Sequence, residues 1–374
     1  MSVRTVRVQD LLGVLHGLFP PDLAEEWDNV GLQVGDPAAP VERLLVALDP
    51  GAGAVAAACA QGAQLLVTHH PLLFKPLRRL TLDDPVGRVL WQAVRGGVAV
   101  IAAHTNLDVA AGGLNHWLAE RLELAASEPL QALPGQLFKL VVFVPVAHVE
   151  AVADALFAGG AGQIGAYDHC SFQAAGTGTF RPGPGTTPFV GMAGRRERVE
   201  EIRLETVVPQ RRLSRVVEKL LKVHPYEEVA YDLIPLANQL PGAGLGRIGR
   251  LAAAMSLADL ADRVKALLGC SSVRLVGRPE QSVARIAVCG GSGAGLIAEA
   301  QRRGADVLVT GDIKYHEARQ AEELGLALLD AGHFATERLA AAELATRLGA
   351  EATARGWRLD ILVHDGERDP FIVR

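Results

Sequence analysis

An apolar run that stops abruptly at two adjacent histidines and a proline, Leu65-Leu66-Val67-Thr68-His69-His70-Pro71, is the first stretch equipped for chemistry. Three later stretches finish in similar residue types: His104-Thr105-Asn106-Leu107-Asp108, Gly311-Asp312-Ile313-Lys314-Tyr315-His316 and Gly332-His333-Phe334-Ala335-Thr336-Glu337. A mixed histidine and carboxylate set without cysteine suits Zn, Fe, Mn or Co rather than a structural zinc site. The expectation is that some of these ends converge on one metal site. Successive residues on a strand point to opposite sides. His69 and His70 therefore serve a single ion only where the strand has broken into a turn; more naturally, each serves one of two neighbouring ions. Pro71 removes a backbone donor and biases His70 to an extended conformation, which fixes that turn. His333 and Glu337 are four apart and share a face if a helix starts after Gly332, and His104 and Asp108 have the same spacing. A carboxylate such as Glu337 can bridge two ions, and ions about 3.5–4 Å apart can jointly activate one water.

These residues need elements to hold them. Residues 8–19 have helical spacing and stop at Pro20-Pro21, and residues 25–32 read as a helix end followed by a loop. Strands are predicted over 43–49, 64–68 and 98–103, with helices over 51–61, 85–95 and 113–122. Such alternation points to a mostly parallel α/β sheet, in which ligand groups gather at the carboxyl ends of strands. His69, His70 and His104 all lie at such ends. After about residue 125 the composition changes. Strands over 137–145, 199–208 and 228–236, helices over 148–157 and 213–223, and a Gly/Thr/Pro-rich stretch read as hairpins over 159–188 give the order β-α-β-β-α-β of a ferredoxin-like module. Pro241-Gly242-Ala243-Gly244 reads as a linker, and the α/β pattern returns from Leu257.

Gly62-Ala63-Gln64-Leu65-Leu66-Val67-Thr68-His69 matches Gly304-Ala305-Asp306-Val307-Leu308-Val309-Thr310-Gly311 almost residue for residue. The following strand in each half also ends in a histidine, His104 and His333. Residues 1–125 and 245–374 thus read as two copies of one unit, with residues 126–244 inserted between them. A pseudo-twofold arrangement would bring both sets of strand ends to one central cleft.

With 49% hydrophobic and 21% charged residues, the 374-residue chain has the composition of a globular protein of two or three domains. A net charge of -5 offers no electrostatic case for a nucleic-acid or anionic-membrane partner, and Arg195-Arg196 and Arg211-Arg212 read as solvated surface. The four cysteines lack CxxC spacing and suit a reducing cytoplasm. The first seven residues carry no apolar signal segment, and no apolar stretch is long enough to span a bilayer.

Several features invite plainer readings. Asp312 and His316 suit contacts to a metal-bound residue or a substrate, or equally solvated helix-start positions. His16, His116 and His364 read as surface or core fillers. Gly290-Gly291-Ser292-Gly293 lacks a GxGxxG pattern and a Walker lysine and reads as a tight turn rather than a phosphate cradle. His224-Pro225-Tyr226-Glu227-Glu228 reads as a capped turn at a helix–strand junction. His148 and His169 add little for a second site.

Taken with Glu26-Trp27-Asp28-Asn29-Val30-Gly31-Leu32, the motifs at Thr68-His69-His70-Pro71-Leu72, His104–Asp108, Gly311–His316 and Gly332–Glu337 resemble the Nif-three-like family, whose bacterial members are also called GTP cyclohydrolase 1 type 2 homologues. The middle segment, with Gly165-Ala166-Tyr167-Asp168 and His224–Glu228, is similar to the PII/CutA-type insert of longer bacterial members. The resemblance implies two pseudo-symmetric α/β units forming a Nif-three-like fold, with an inserted ferredoxin-like (PII/CutA-like) α+β domain. It implies two divalent metal ions per subunit (Zn, Fe or Mn) held by His69, His70, Asp108, His333 and Glu337, with Glu337 bridging and His104 in a supporting or proton-transfer role. It further implies a toroidal homohexamer, a trimer of dimers, whose openings the insert caps. Two functions follow as expectations. One is a metal-dependent hydrolase activating water against a small nucleotide-like substrate, with GTP ring opening suggested by the family name. The other is a non-catalytic metal-handling or regulatory assembly whose insert senses a small ligand.

Overall fold

A computed structural model describes residues 5–133, 137–240 and 242–372. The chain divides into two compact units, Met1–Ala132 with Gly242–Arg374, and Leu133–Pro241.

Two sheets build the first unit. One has five strands: β1 (Gly31–Val34), β2 (Arg43–Ala47), β3 (Leu65–Thr68), β4 (Ala99–Ala102) and, from near the other end of the chain, Asp360–Val363, in the order β1-β4-β3-β2 followed by Asp360–Val363. β2, β3, β4 and Asp360–Val363 run parallel, while β1 is antiparallel to β4. Every residue of β3 and β4 is buried. Helices cover both faces of a parallel sheet, so its strands are unbroken apolar runs without alternation. Val55 and Ala58 of the helix Ala52–Ala60 and Leu90 and Ala93 of Pro85–Gly96 pack on Leu45, Leu66 and Val100.

The second sheet follows β5 (Ala125–Ala132) and, beyond the other unit's strands β6 (Leu137–Pro145), β7 (Ser171–Phe180), β8 (Glu197–Pro209) and β9 (Tyr231–Leu236), uses β10 (Gly244–Ser256), β11 (Arg274–Val276), β12 (Ser282–Ser292), β13 (Val307–Gly311) and β14 (Ala327–Asp330). Its order is β11-β14-β13-β12-β10-β5, with β12, β13 and β14 parallel. Asp360–Val363 is β15.

The two halves are not self-contained copies. β15 leaves the second half to pair with β2, and β5 leaves the first half to pair with β10. The sequence reading ended the first unit at 125 and began the third at 245. The structure keeps β5 with the outer unit, because its backbone donors and acceptors are satisfied by β10. Residues 31–34, expected as loop, form β1 because β4 offers an open edge. The segment 290–293, expected as a tight turn, instead carries β12 on to Ser292.

In the second unit β6, β7, β8 and β9 form one antiparallel sheet in the order β7-β8-β6-β9. The helices Val149–Gly159 and Leu213–Val223 cover one face, burying Val152, Leu156, Val216 and Leu220 against Leu140, Val142, Val144 and Leu204. All four cysteines of the chain are free. Among the described residues no helix is long and apolar enough to cross a membrane.

Candidate metal centre

β3 and β2 stay paired for two residues past Thr68, since His69 N–H donates to Ala47 O at 3.3 Å and His70 N–H to Leu48 O at 3.0 Å. The Thr68 hydroxyl donates to the carbonyl of His70 at 2.7 Å and turns the chain there. This turn lets two consecutive side chains reach one place. His69 is fully buried, and its Nδ1 lies 3.0 Å from the carbonyl of Ala103. The Nδ1 of His70 lies 2.7 Å from Asp49, just past the end of β2. Asp49 is placed in turn from the far end of the chain, because Glu367 accepts from the backbone N–H groups of Leu48 and Asp49 at 2.9 and 2.7 Å.

His104 follows β4 and opens the short helix Thr105–Val109, whose first turn brings Asp108 round to the same side. The Nδ1 of His104 lies 2.9 Å from Asp28 Oδ1, while Oδ2 of Asp28 accepts from Thr105 N–H at 3.0 Å and from its hydroxyl at 2.5 Å. Burial alone would raise Asp28, but the His104 and Thr105 contacts outweigh it and hold the carboxyl at about 2. After β14 the second half repeats the device. Gly332, at φ +87°, turns into the helix His333–Glu337, and His333 Nδ1 lies 2.7 Å from Asp312 Oδ2. Asp312 itself sits at φ +58°, an uncommon conformation for a side-chain-bearing residue.

Four imidazoles thus have one nitrogen engaged on the side away from the cluster. A histidine that ligates a metal is commonly held in this way, its other nitrogen bonded to a carboxylate or carbonyl that fixes tautomer and ring direction. The Nε2 atoms of His69, His70 and His333 meet at Glu337, a carboxylate only 4% exposed. Its Oε2 lies 2.9 Å from His333 Nε2 and 3.0 Å from His70 Nε2, and its Oε1 lies 3.7 Å from His69 Nε2. Asp108 Oδ1 is 3.7 Å from His69 Nε2. Donor atoms of His69, His70 and His104 lie within 4.8 Å of one another, as do those of His70, His333 and Glu337. This His/Glu group can hold a metal ion.

The donor chemistry fits a cation. His69 Nε2 and Asp108 Oδ1, neighbours in this one cluster, are buried without a hydrogen-bond partner, and Glu337 Oε2, although close to two imidazole nitrogens, is aligned with neither for a hydrogen bond. Buried polar atoms are seldom left so unless an ion or water completes them. Electrostatics agree. Burial pushes Asp108 up to about 7, with Glu337 adding to the shift and His69 opposing it. Burial would also raise Glu337, but His333, His69 and His70 hold it well below the usual carboxylate range. Burial lowers His70, yet Asp49 and Glu337 more than reverse this and raise it to about 10. Contact with Glu337 raises His333 to about 9 against its burial.

All six residues singled out by sequence, His69, His70, His104, Asp108, His333 and Glu337, are therefore in one cluster. His104, expected in a supporting role, presents its ring among the possible ligands. Asp312 is resolved from its two readings as the support of His333. His316 instead meets the Tyr315 ring edge to face, with ring centroids 5.3 Å apart. Sequence reasoning missed Asp49, whose only signal is its place after a parallel strand. Asp28 stands in the Glu26–Leu32 motif, but nothing local in the sequence points to its role. Sequence reasoning also missed Gly291, at φ +59°, where any side chain would collide with the Glu337 carboxylate. Gly291 N–H further donates to Thr336 at 3.0 Å, holding the short helix in place.

The Duf34/NIF3 (NGG1p interacting factor 3) family matches residues 6–370. The chain belongs to this family. Relatives named GTP cyclohydrolase 1 type 2 homolog include one from Halalkalibacterium halodurans, 42% identical over 87% of this chain and 88% of that protein. Another, from Bacillus subtilis, is 39% identical over 98% of this chain and 99% of that protein. A solved Bacillus cereus protein described as related to NIF3 superposes with a TM-score of 0.85 at 40% identity, covering 99% of this chain and all of that one. The NIF3-family assignment thus spans both the outer unit and the segment between its halves.

Proposed function

We propose that this NIF3-family chain is a metal-dependent hydrolase that holds two divalent ions and directs water onto a nucleotide-like substrate. The observation that carries the reading is the pair of orphaned atoms, His69 Nε2 and Asp108 Oδ1, beside the Glu337 carboxylate in a cage whose histidines are each fixed through Nδ1. His69, His70, Asp108, His333 and Glu337 would hold the ions, with Glu337 shared because its two oxygens face histidines from both halves. Divalent ions there would supply Lewis acidity and make water a nucleophile near neutral pH. With Nδ1 engaged by Asp28, His104 Nε2 is free to take up and return a proton beside the cluster. Trp27 is 57% exposed, with its ring 6.1 Å from His104 and 5.7 Å from Phe74, and offers a planar base a stacking face at the cluster. This supports a purine substrate, with ring opening of GTP by water at C8 as the first reaction to assay.

Metal analysis followed by turnover assays on GTP and a phosphoester panel tests the reading, with wild type and a His333→Ala/Glu337→Ala variant side by side. Stoichiometric metal and turnover in wild type alone are expected. Metal bound without turnover on any substrate, but passed readily to an acceptor protein, would favour the metal-handling alternative. Absence of metal from both proteins would remove the centre itself. His104→Ala separates roles within the site: retained metal with lost turnover marks a proton-transfer residue, and lost metal marks a ligand.

For the second unit we adopt the ferredoxin-like, PII/CutA-like reading, supported by the β-α-β-β-α-β order and the all-antiparallel arrangement β7-β8-β6-β9. For assembly we adopt the toroidal homohexamer. Its support is the exposed apolar set Phe74, Leu77, Leu80, Leu82, Trp91 and Val94, gathered in one segment of the outer unit. Such concentration of exposed apolar side chains marks an interaction surface. Native mass spectrometry showing a monomer would overturn it.

A further inference from the structure

The second unit has one face of its sheet covered by helices. On the other face lies an open cavity of about 700 Å³, within the range of small-molecule sites, about 300–1,000 Å³. The alternation of β6 and β8 explains the division. Leu140, Val142, Val144 and Leu204 point into the helical core, while Phe143, Glu201 and Arg203 line the cavity. The floor is hollowed by β7, where Gly176 leaves open space and a side chain at Gly178 would collide with the carboxylate of Glu201.

Glu201 is only 7% exposed. Among the described residues its carboxylate has a single hydrogen-bond partner, the Tyr226 hydroxyl at 2.7 Å, bonded to Oε1. Arg203, two residues along the same strand, does not neutralise it, because its guanidinium is engaged by Glu205 at 2.8 Å. Glu227 and Glu228 also line the cavity, opposed by Arg181 and Arg203, so acids outnumber bases. The Tyr226 ring lies 6.0 Å from Phe180 and 6.1 Å from Phe189. This wall is set before any ligand arrives. Tyr226 N–H donates to His224 Nδ1 and the other ring nitrogen of His224 contacts the carbonyl of Phe143, both at 3.1 Å. Glu227 accepts from Thr187 N–H at 3.0 Å and ties down the covering loop. The His224–Glu228 motif is thus more than a capped turn: His224 is the peg that aims Tyr226 into the cavity.

Burying a carboxylate is costly unless an opposite charge joins it, and aromatic faces attract organic cations. We propose that this cavity binds a small organic ammonium compound, its charge at Glu201 and its apolar body against Phe180, Phe189 and Tyr226. A bare metal ion is a poor match, because among the described residues Glu201 is the cavity's one buried acid and no histidine lines it.

Calorimetric titration of the full-length protein with 2-phenylethylammonium, its neutral analogue 2-phenylethanol and the anion 3-phenylpropionate tests this assignment. The ammonium compound should bind at least about tenfold more tightly than either analogue. Glu201→Gln should weaken it about tenfold or more, and Gly176→Leu, which fills the floor, should abolish binding while leaving the metal content of the outer unit unchanged. Phe189→Ala, at a half-exposed ring, gives a variant little prone to misfolding and should weaken binding a few-fold. Tighter binding of 3-phenylpropionate, which would place Arg181 in charge, overturns the proposal. So does unchanged affinity in well-folded Glu201→Gln and Phe189→Ala, or no binding of the ammonium compound to wild type.

Discussion

Two short helices, Thr105–Val109 and His333–Glu337, begin at the carboxyl ends of corresponding strands in the two sheets of the outer unit. Each is preceded or opened by a histidine, places a carboxylate four residues later, and has that histidine's Nδ1 bonded to an aspartate, Asp28 or Asp312. The adjacent strand ends differ. β3 delivers His69 and His70, whereas β13 delivers Gly311 and Asp312. The structure gives the reason. A Cβ at Gly311 would stand 2.6 Å from His333 N, 2.7 Å from Gly332 C and 2.9 Å from Gly291 O. Packing around the second short helix leaves no room for the counterpart of His69, and the counterpart of His70 has become the support of His333. The two sheets offer corresponding strand ends, and crowding at one of them leaves a site with most donors on the other side.

Five measurements break or sharpen that asymmetry. The largest effect is expected at Glu337, which faces histidines of both halves. Glu337→Ala should lower metal retention by more than the roughly 10–100-fold typical of losing a supporting acceptor, and by more than Asp108→Ala, as read by metal analysis after dialysis; equal losses would make the two carboxylates equivalent. Next come the supports. Asp49→Asn and Asp312→Asn should each weaken metal binding by about 10–100-fold in competition titrations with a chelator, and retention of wild-type affinity in both would show that the Nδ1 contacts do not orient the ligands. Third, Gly311→Ala should destabilise by about 1–3 kcal/mol through overpacking, seen as a lower midpoint in denaturant unfolding. An unchanged midpoint would mean that sterics did not exclude the lost histidine. The smallest effect is a pH dependence of the metal-stripped protein. His70 and His333 are raised to about 10 and about 9, so their charge pairing stabilises fully below about 6.5, the ordinary histidine value, and is lost as pH rises through 9 to 10. The melting temperature of chelated protein should fall across that window. Metal binding near neutral pH should release protons, detectable by calorimetry in buffers of different ionisation enthalpy.

The ligand candidates were legible because chemistry-bearing residue types stood at the ends of apolar runs, and a parallel sheet collects such ends. The supports were not. Asp49 and Asp28 lie 21 and 76 residues from the histidines they hold, and an aspartate in a loop carries no local mark of such a partner. Gly291 looked like turn punctuation because its reason is a carboxylate 46 residues away in sequence, counted from Gly291 to Glu337. The β5–β10 and β15–β2 pairings had no signature either. Ala125–Ala132 has mostly exposed or half-buried residues and a proline, and edge pairing depends on which neighbour is left open rather than on a pattern within the strand. Cavity and turn in the second unit were separated in the same way. The His224–Glu228 motif was visible, but the glycines that hollow the floor sit on β7, in a stretch read as hairpins.

The pairing of β15 with β2 also sets an order of events during synthesis. Arg43 and Asp360, which bond at 2.6 Å, are 317 residues apart. While most of the chain is still being made, β2 lacks its outer neighbour, and the Leu48–Asp49 turn lacks the Glu367 carboxylate that fastens it. Contacts closing so long a loop come late. Asp49, and through it His70, is therefore set only after residue 367 has left the ribosome. A cation meeting the nascent chain finds loose histidines, and only the finished fold offers the cage.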